Sequence, residues 1–78
     1  MISERLKKTI CRELDLDDFE FEDATTAGQV PGWDSLSHVR IICAVEAEFG
    51  LRFRTMEVLR LKNVGDLQAL VDARMPID

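Results

Sequence analysis

The chain has few of the side chains from which metal and nucleophile sites are built. It holds one histidine and two cysteines among 78 residues. Cys11 and Cys43 lie far apart and form no C-x-x-C pair, and the lone His38 cannot complete a zinc site with them. Both are expected as buried free thiols. Long apolar runs are also missing. Nothing reaches the length of a membrane span, and no signal-peptide pattern stands at the start. These absences predict a cytoplasmic protein with no membrane insertion. The length suits one small domain over residues 1–78.

Base is missing where acid is dense. Net charge is −5, and residues 15–34 carry seven acids and no base. Residues 1–14 carry four bases against two acids, and residues 35–78 carry six of each. Nucleic acid would be repelled from the acidic stretch, whereas a basic protein surface would be steered towards it. The acids at 15, 17, 18, 20, 22 and 23 lack the D-x-[DN]-x-[DN]-G order of a calcium loop, so metal binding is not expected.

What is present is helical periodicity. Ile2, Leu6, Ile10 and Leu14 form a stripe over a first helix at 3–14, with Ser3 placed to cap it. LDLDDFEFEDATTAGQVPGWD has no sustained period, and Gly28, Pro31 and Gly32 punctuate its end. A connection of this length is unusual in a small domain unless functional or disordered. Leu16, Phe19, Phe21, Val30 and Trp33 can pin it to a core. A second helix is expected over 35–49, capped by Asp34 and ended by Gly50. Its apolar positions fall into two sets. Ile41, Ile42, Val45 and Phe49 make the core face. Leu36, Cys43 and Ala47 gather on the opposite side around Arg40, as expected of a stripe that touches a partner.

A short helix follows within LRFRTMEVLRLK, with Thr55 as cap and Met56, Val58, Leu59 and Leu61 inward. Asn63 caps a last helix, Asp66 approximates a capping box, and Pro76 marks its outer limit. The fold expected is all-α: a small four-helix bundle of three main helices and one short one, with a long loop between helices one and two. Its core should include Leu6, Ile10, Ile41, Ile42, Val45, Phe49, Val64, Leu67, Leu70 and Val71.

Ser35 opens the second helix, with Asp34 before it and His38 three residues on. A Ser–His–Asp hydrolase is disfavoured. Trp33 stands where a G-D-S-L block needs glycine, no G-x-S-x-G elbow exists, and nothing supplies an oxyanion hole. Phosphate attachment fits better, since the first turn of a helix presents unpaired N–H groups and a positive dipole end. Asp34 could then help a modifying enzyme hold a divalent cation. Simple phosphorylation and transfer of a larger phosphate-linked group both remain open on these grounds.

D-S-L at 34–36, opening an apolar helix that runs to E-A-E-F-G at 46–50, resembles the acyl carrier protein family. The likeness spans almost the whole chain, including K-N-V-G-D-L at 62–67. It implies a discrete, non-catalytic carrier whose Ser35 receives 4′-phosphopantetheine from coenzyme A through a magnesium-using phosphopantetheinyl transferase. Asp34 matches the acid that assists this transferase, and Leu36 matches the residue that docks into partners. Cys43 falls at a common apolar contact, and Glu46 and Glu48 match acids of the second helix. Further partners implied are an acyl-loading ligase or acyltransferase and a ketosynthase or other acyl-processing enzyme. A monomer is expected. A short acyl chain would fold back between helices, with Ala44 and Val58 as candidate lining.

Two departures point away from primary fatty acid synthesis. Ser37 replaces a common acid, and Arg40 is basic where glutamate is typical. Arg52, Arg54, Arg60 and Lys62 make the region after the second helix basic. Arginine at a docking position would repel a basic partner patch, so a polyketide, secondary-metabolite or modified-lipid route is expected. The alternatives are a stand-alone peptidyl or aminoacyl carrier, and an unmodified helical interaction module.

Overall fold

The computed structural model describes residues 1–75. Four α-helices follow in chain order: α1 (Glu4–Leu14), α2 (Ser35–Phe49), α3 (Thr55–Leu59) and α4 (Val64–Arg74). A single 3-10 turn, Ala27–Gln29, interrupts the long loop between α1 and α2. No strand occurs among the described residues, so the architecture is the expected all-α bundle. None of these helices is long and apolar enough to cross a membrane. Pro76, read as the outer limit of α4, lies outside the described residues.

The helix ends follow from side chains that take orphan amides. Ser3 Oγ accepts the Leu6 N–H at 3.2 Å. Asn63 Oδ1 accepts the Asp66 N–H at 2.8 Å. The Asp66 carboxylate reaches back one residue further than a capping box, to the Lys62 N–H at 3.0 Å. Gly50 closes α2 at φ 68°, the left-handed conformation that glycine adopts without a Cβ penalty. Asp15 closes α1 in the same region, at φ 56°.

Leu6, Ile10, Ile41, Ile42, Val45, Val64, Leu67 and Val71 are buried together, as the periodicity predicts. Phe49 and Leu70 are only half-buried. Phe49 lies at the rim because the Arg5 guanidinium sits 4.5 Å from its ring centroid and covers it from the α1 side. The loop supplies Phe21 and Val30 to the core, and Leu16, Phe19 and Trp33 pack against it. Its backbone is also fastened to the start of α4. The Val64 N–H donates to Thr25 O at 2.8 Å and the Gly65 N–H to Asp23 O at 2.9 Å. A Cβ on Gly65 would stand 2.6 Å from Asp23 O, so this approach needs glycine.

Three expectations are corrected. Cys11 is buried, but Cys43 is exposed, because it lies on the α2 face turned away from α1 and the core. Thr55 is the first residue of α3, and Arg54 occupies the cap position. Met56 and Leu59 face outward. A helix of five residues can turn one side inward, and Val58 and Leu61 take it. Leu51, which the sequence did not single out, is also buried.

Candidate functional site

The site forms where the long loop meets the N-terminus of α2. Gly32, at φ 81°, turns the chain just before Trp33. The Trp33 N–H donates to Val30 O at 3.3 Å, so the indole is carried by a segment that Val30 itself anchors in the core. The indole Nε1–H then donates to His38 Nδ1 at 3.1 Å, with ring centroids 6.0 Å apart. This bond runs from the loop to the first turns of α2. It closes a loop over the four residues between, Asp34 to Ser37, and so fixes the path of Asp34 and Ser35.

Asp34 Oδ1 accepts the Ser37 N–H at 2.8 Å. That amide, and after it the Ser37 hydroxyl, hold the Asp34 carboxyl below its ordinary range. Ser35 is the first helical residue and is exposed. Its own N–H and that of Leu36 stand at the positive end of the helix, where a phosphate oxygen would be stabilised. His38 Nδ1 is occupied by Trp33, which accounts for this histidine as a positioning group.

Beside Ser35 an open groove of about 440 Å³ is lined by Trp33, His38, Val58, Leu59, Leu61 and the 3-10 turn at Ala27. Next to it, also lined by Trp33 and His38, a small pocket of only about 30 Å³ reaches Val64 and Leu67. Space for roughly one water molecule is far below the roughly 300 Å³ at which ligand pockets begin. Of the two residues expected to line an acyl slot between helices, Val58 lines this open groove and Ala44 lines neither space.

The second stripe of α2 is exposed along its whole length: Leu36, Arg40, Cys43 and Ala47. The structure adds neighbours that sequence reasoning did not name. Leu36 is 70% exposed, Val39 58%, Met56 60% and Leu59 72%. The signal for Val39 was available, since it falls between Ser35 and Arg40 on the helical wheel. That of Leu59 was not, because the facing of a one-turn helix depends on what lies beneath it. The acids of the loop do not converge on a cation site. Asp18 and Glu20 both pair with Lys7, at 2.7 Å each. Among the described residues no three His, Cys, Asp or Glu side chains come together.

A family profile described as the phosphopantetheine attachment site matches residues 4–71. Among solved structures, the chain is similar to the holo acyl carrier protein from Geobacter metallireducens, determined by solution NMR. The two share 36% identity over 88% of this chain and 79% of that one, with a TM-score of 0.83.

Proposed function

The chain belongs to the acyl carrier protein family, and on that premise we propose that Ser35 bears its 4′-phosphopantetheine arm. Members of this family are carriers, not catalysts, and serve transferases and acyl-processing enzymes. The observation that supports Ser35 is its position. It is an exposed hydroxyl at the first residue of α2, beside an open groove and against amides that suit a phosphodiester. The residues present therefore fit the group.

During attachment the Ser35 Oγ attacks the pantetheine-bearing phosphorus of coenzyme A. The bond from that phosphorus to the nucleotide half breaks, and the hydroxyl proton passes to the transferase. Asp34, ionised and fixed by its cap bond, is placed to contribute to the transferase's magnesium site. The Trp33–His38 bond holds the loop so that Ser35 protrudes. When bound, the arm supplies a thiol, titrating near ~8.5 in the free state, that carries the acyl group as an activated thioester. Leu36, Arg40, Cys43 and Ala47 form the surface that partners meet. They include a phosphopantetheinyl transferase, an acyl-loading ligase or acyltransferase, and a ketosynthase or comparable enzyme. Arg40, exposed on that surface, supports a specialised polyketide, secondary-metabolite or modified-lipid route.

Intact mass after incubation with coenzyme A and a broad-specificity transferase tests the assignment. One added arm is expected, and Ser35→Ala should abolish it. An arm that persists in the Ser35→Ala variant, or no addition with several such transferases, would overturn it.

A further inference from the structure

Unpaired bases outnumber acids around Ser35; the adjacent acid, Asp34, is held by the Ser37 N–H at the helix cap. Residues 35–62 hold three acids, and each is engaged within the fold. Glu46 Oε2 accepts the Phe53 N–H at 2.8 Å. Glu48 pairs with Arg5 at 2.8 Å and lies 3.9 Å from Arg12. Glu57 accepts the Arg54 N–H at 2.8 Å and pairs with Arg74. The same stretch holds five bases: Arg40, Arg52, Arg54, Arg60 and Lys62. All are exposed, and none forms an ion pair among the described residues.

These bases border the exposed apolar residues. Arg40 stands within the α2 stripe. Arg52 shares a shallow concavity with Cys43 and Ala47. Arg60 and Lys62 flank Leu59, which itself lines the groove at Ser35. Asp34, Glu46 and Asp66 also border these spaces, each bound to a backbone amide, so this side of an acidic protein is an apolar patch with a rim in which the unpaired bases predominate.

We infer that α2 and the 52–62 segment dock onto a partner protein whose contact surface carries carboxylates around an apolar depression. The inference rests on the carrier reading and deepens it, by giving the partner's charge. An apolar depression accommodates Leu36, Val39 and Leu59, and carboxylates at its edge meet the unpaired guanidinium and ammonium groups. Extended polyanions match less well, because the seven acids of residues 15–34 repel a duplex or an anionic bilayer that reaches beyond the patch.

The test is a titration of isotope-labelled protein, without coenzyme A, followed by NMR. One probe is a broad-specificity phosphopantetheinyl transferase with a basic rim around its active site. The other is the same transferase with those rim bases changed to glutamate. At low salt the glutamate-rimmed form should bind about tenfold tighter. Shifts should centre on Leu36, Val39, Arg40, Leu59 and Arg60. The Arg40→Glu/Arg60→Glu variant, with unchanged circular dichroism, should reverse the preference. Equal binding, or preference of the unaltered protein for the basic rim, would overturn the inference. So would phosphatidylglycerol vesicles or a DNA duplex that shift the same residues as strongly. Binding is read without the arm, so the outcome stands apart from Ser35 loading, which intact mass decides.

Discussion

Ser35 needs only exposure and a defined helix start, and its neighbours provide both. Asp34 and Ser35 were legible because N-caps and first-turn positions are encoded locally. His38 was not. Its sequence position suggested proximity to Ser35, whereas its bond partner is Trp33, five residues away across the loop junction. That partnership depends on where Val30 and Gly32 send the chain, which no local pattern reveals. If the bond positions Ser35, the indole Nε1 proton should exchange slowly with solvent. In His38→Ala it should lose protection while helix content is kept, and loading of Ser35 should slow. An indole proton equally protected in both proteins would show that the ring is held by packing alone.

At the scale of elements, the long loop behaves as a part of the core. Its anchors were readable as apolar residues in an otherwise acidic run, and Phe21 and Val30 are buried as that pattern implied. The backbone seam from Asp23 and Thr25 to the start of α4 was not readable, because a glycine at the second position of a helix carries no sign of what approaches it. Gly65→Ala should cost about 1–3 kcal/mol through overpacking against the Asp23 backbone. That corresponds to about 4–8 °C in melting temperature for each kcal/mol in a domain of this size. A calorimetric scan reads it directly, and an unchanged melting temperature would mean that the loop yields freely. Short α3 shows the complementary limit. Its existence was legible, but the outward facing of Met56 and Leu59 follows from Val58 and Leu61 having taken the inward places.

For the whole molecule, acid links the separate elements. Glu48 joins α2 to α1 through Arg5, and Glu57 joins α3 to α4 through Arg74. The partner arginines hold both carboxyls below their ordinary range, as the Ser37 amide does for Asp34. A carboxyl depressed in the folded state contributes stability above its unfolded pKa and loses it as pH falls through the folded value. The urea midpoint should therefore stay level from pH 7 to about 5 and fall below about 4. A midpoint that rises on acidification would show that relief of repulsion among the loop acids dominates instead. Fold class and core were legible at this scale, since eight of the ten residues picked out by periodicity are buried. The charge asymmetry of the α2 and 52–62 face was only half legible, because the sequence gives the number of acids and only the folded chain shows which are already occupied.

Trp33 is the sole tryptophan, and its ring forms a wall of both the open groove and the small space beneath it. The protein thus contains one intrinsic tryptophan fluorophore, set beside Ser35 and in contact with histidine. Any group that enters the groove changes the polarity around that ring. No attached dye is needed: the protein's own ultraviolet emission is an optical record of whether the space next to Ser35 is filled.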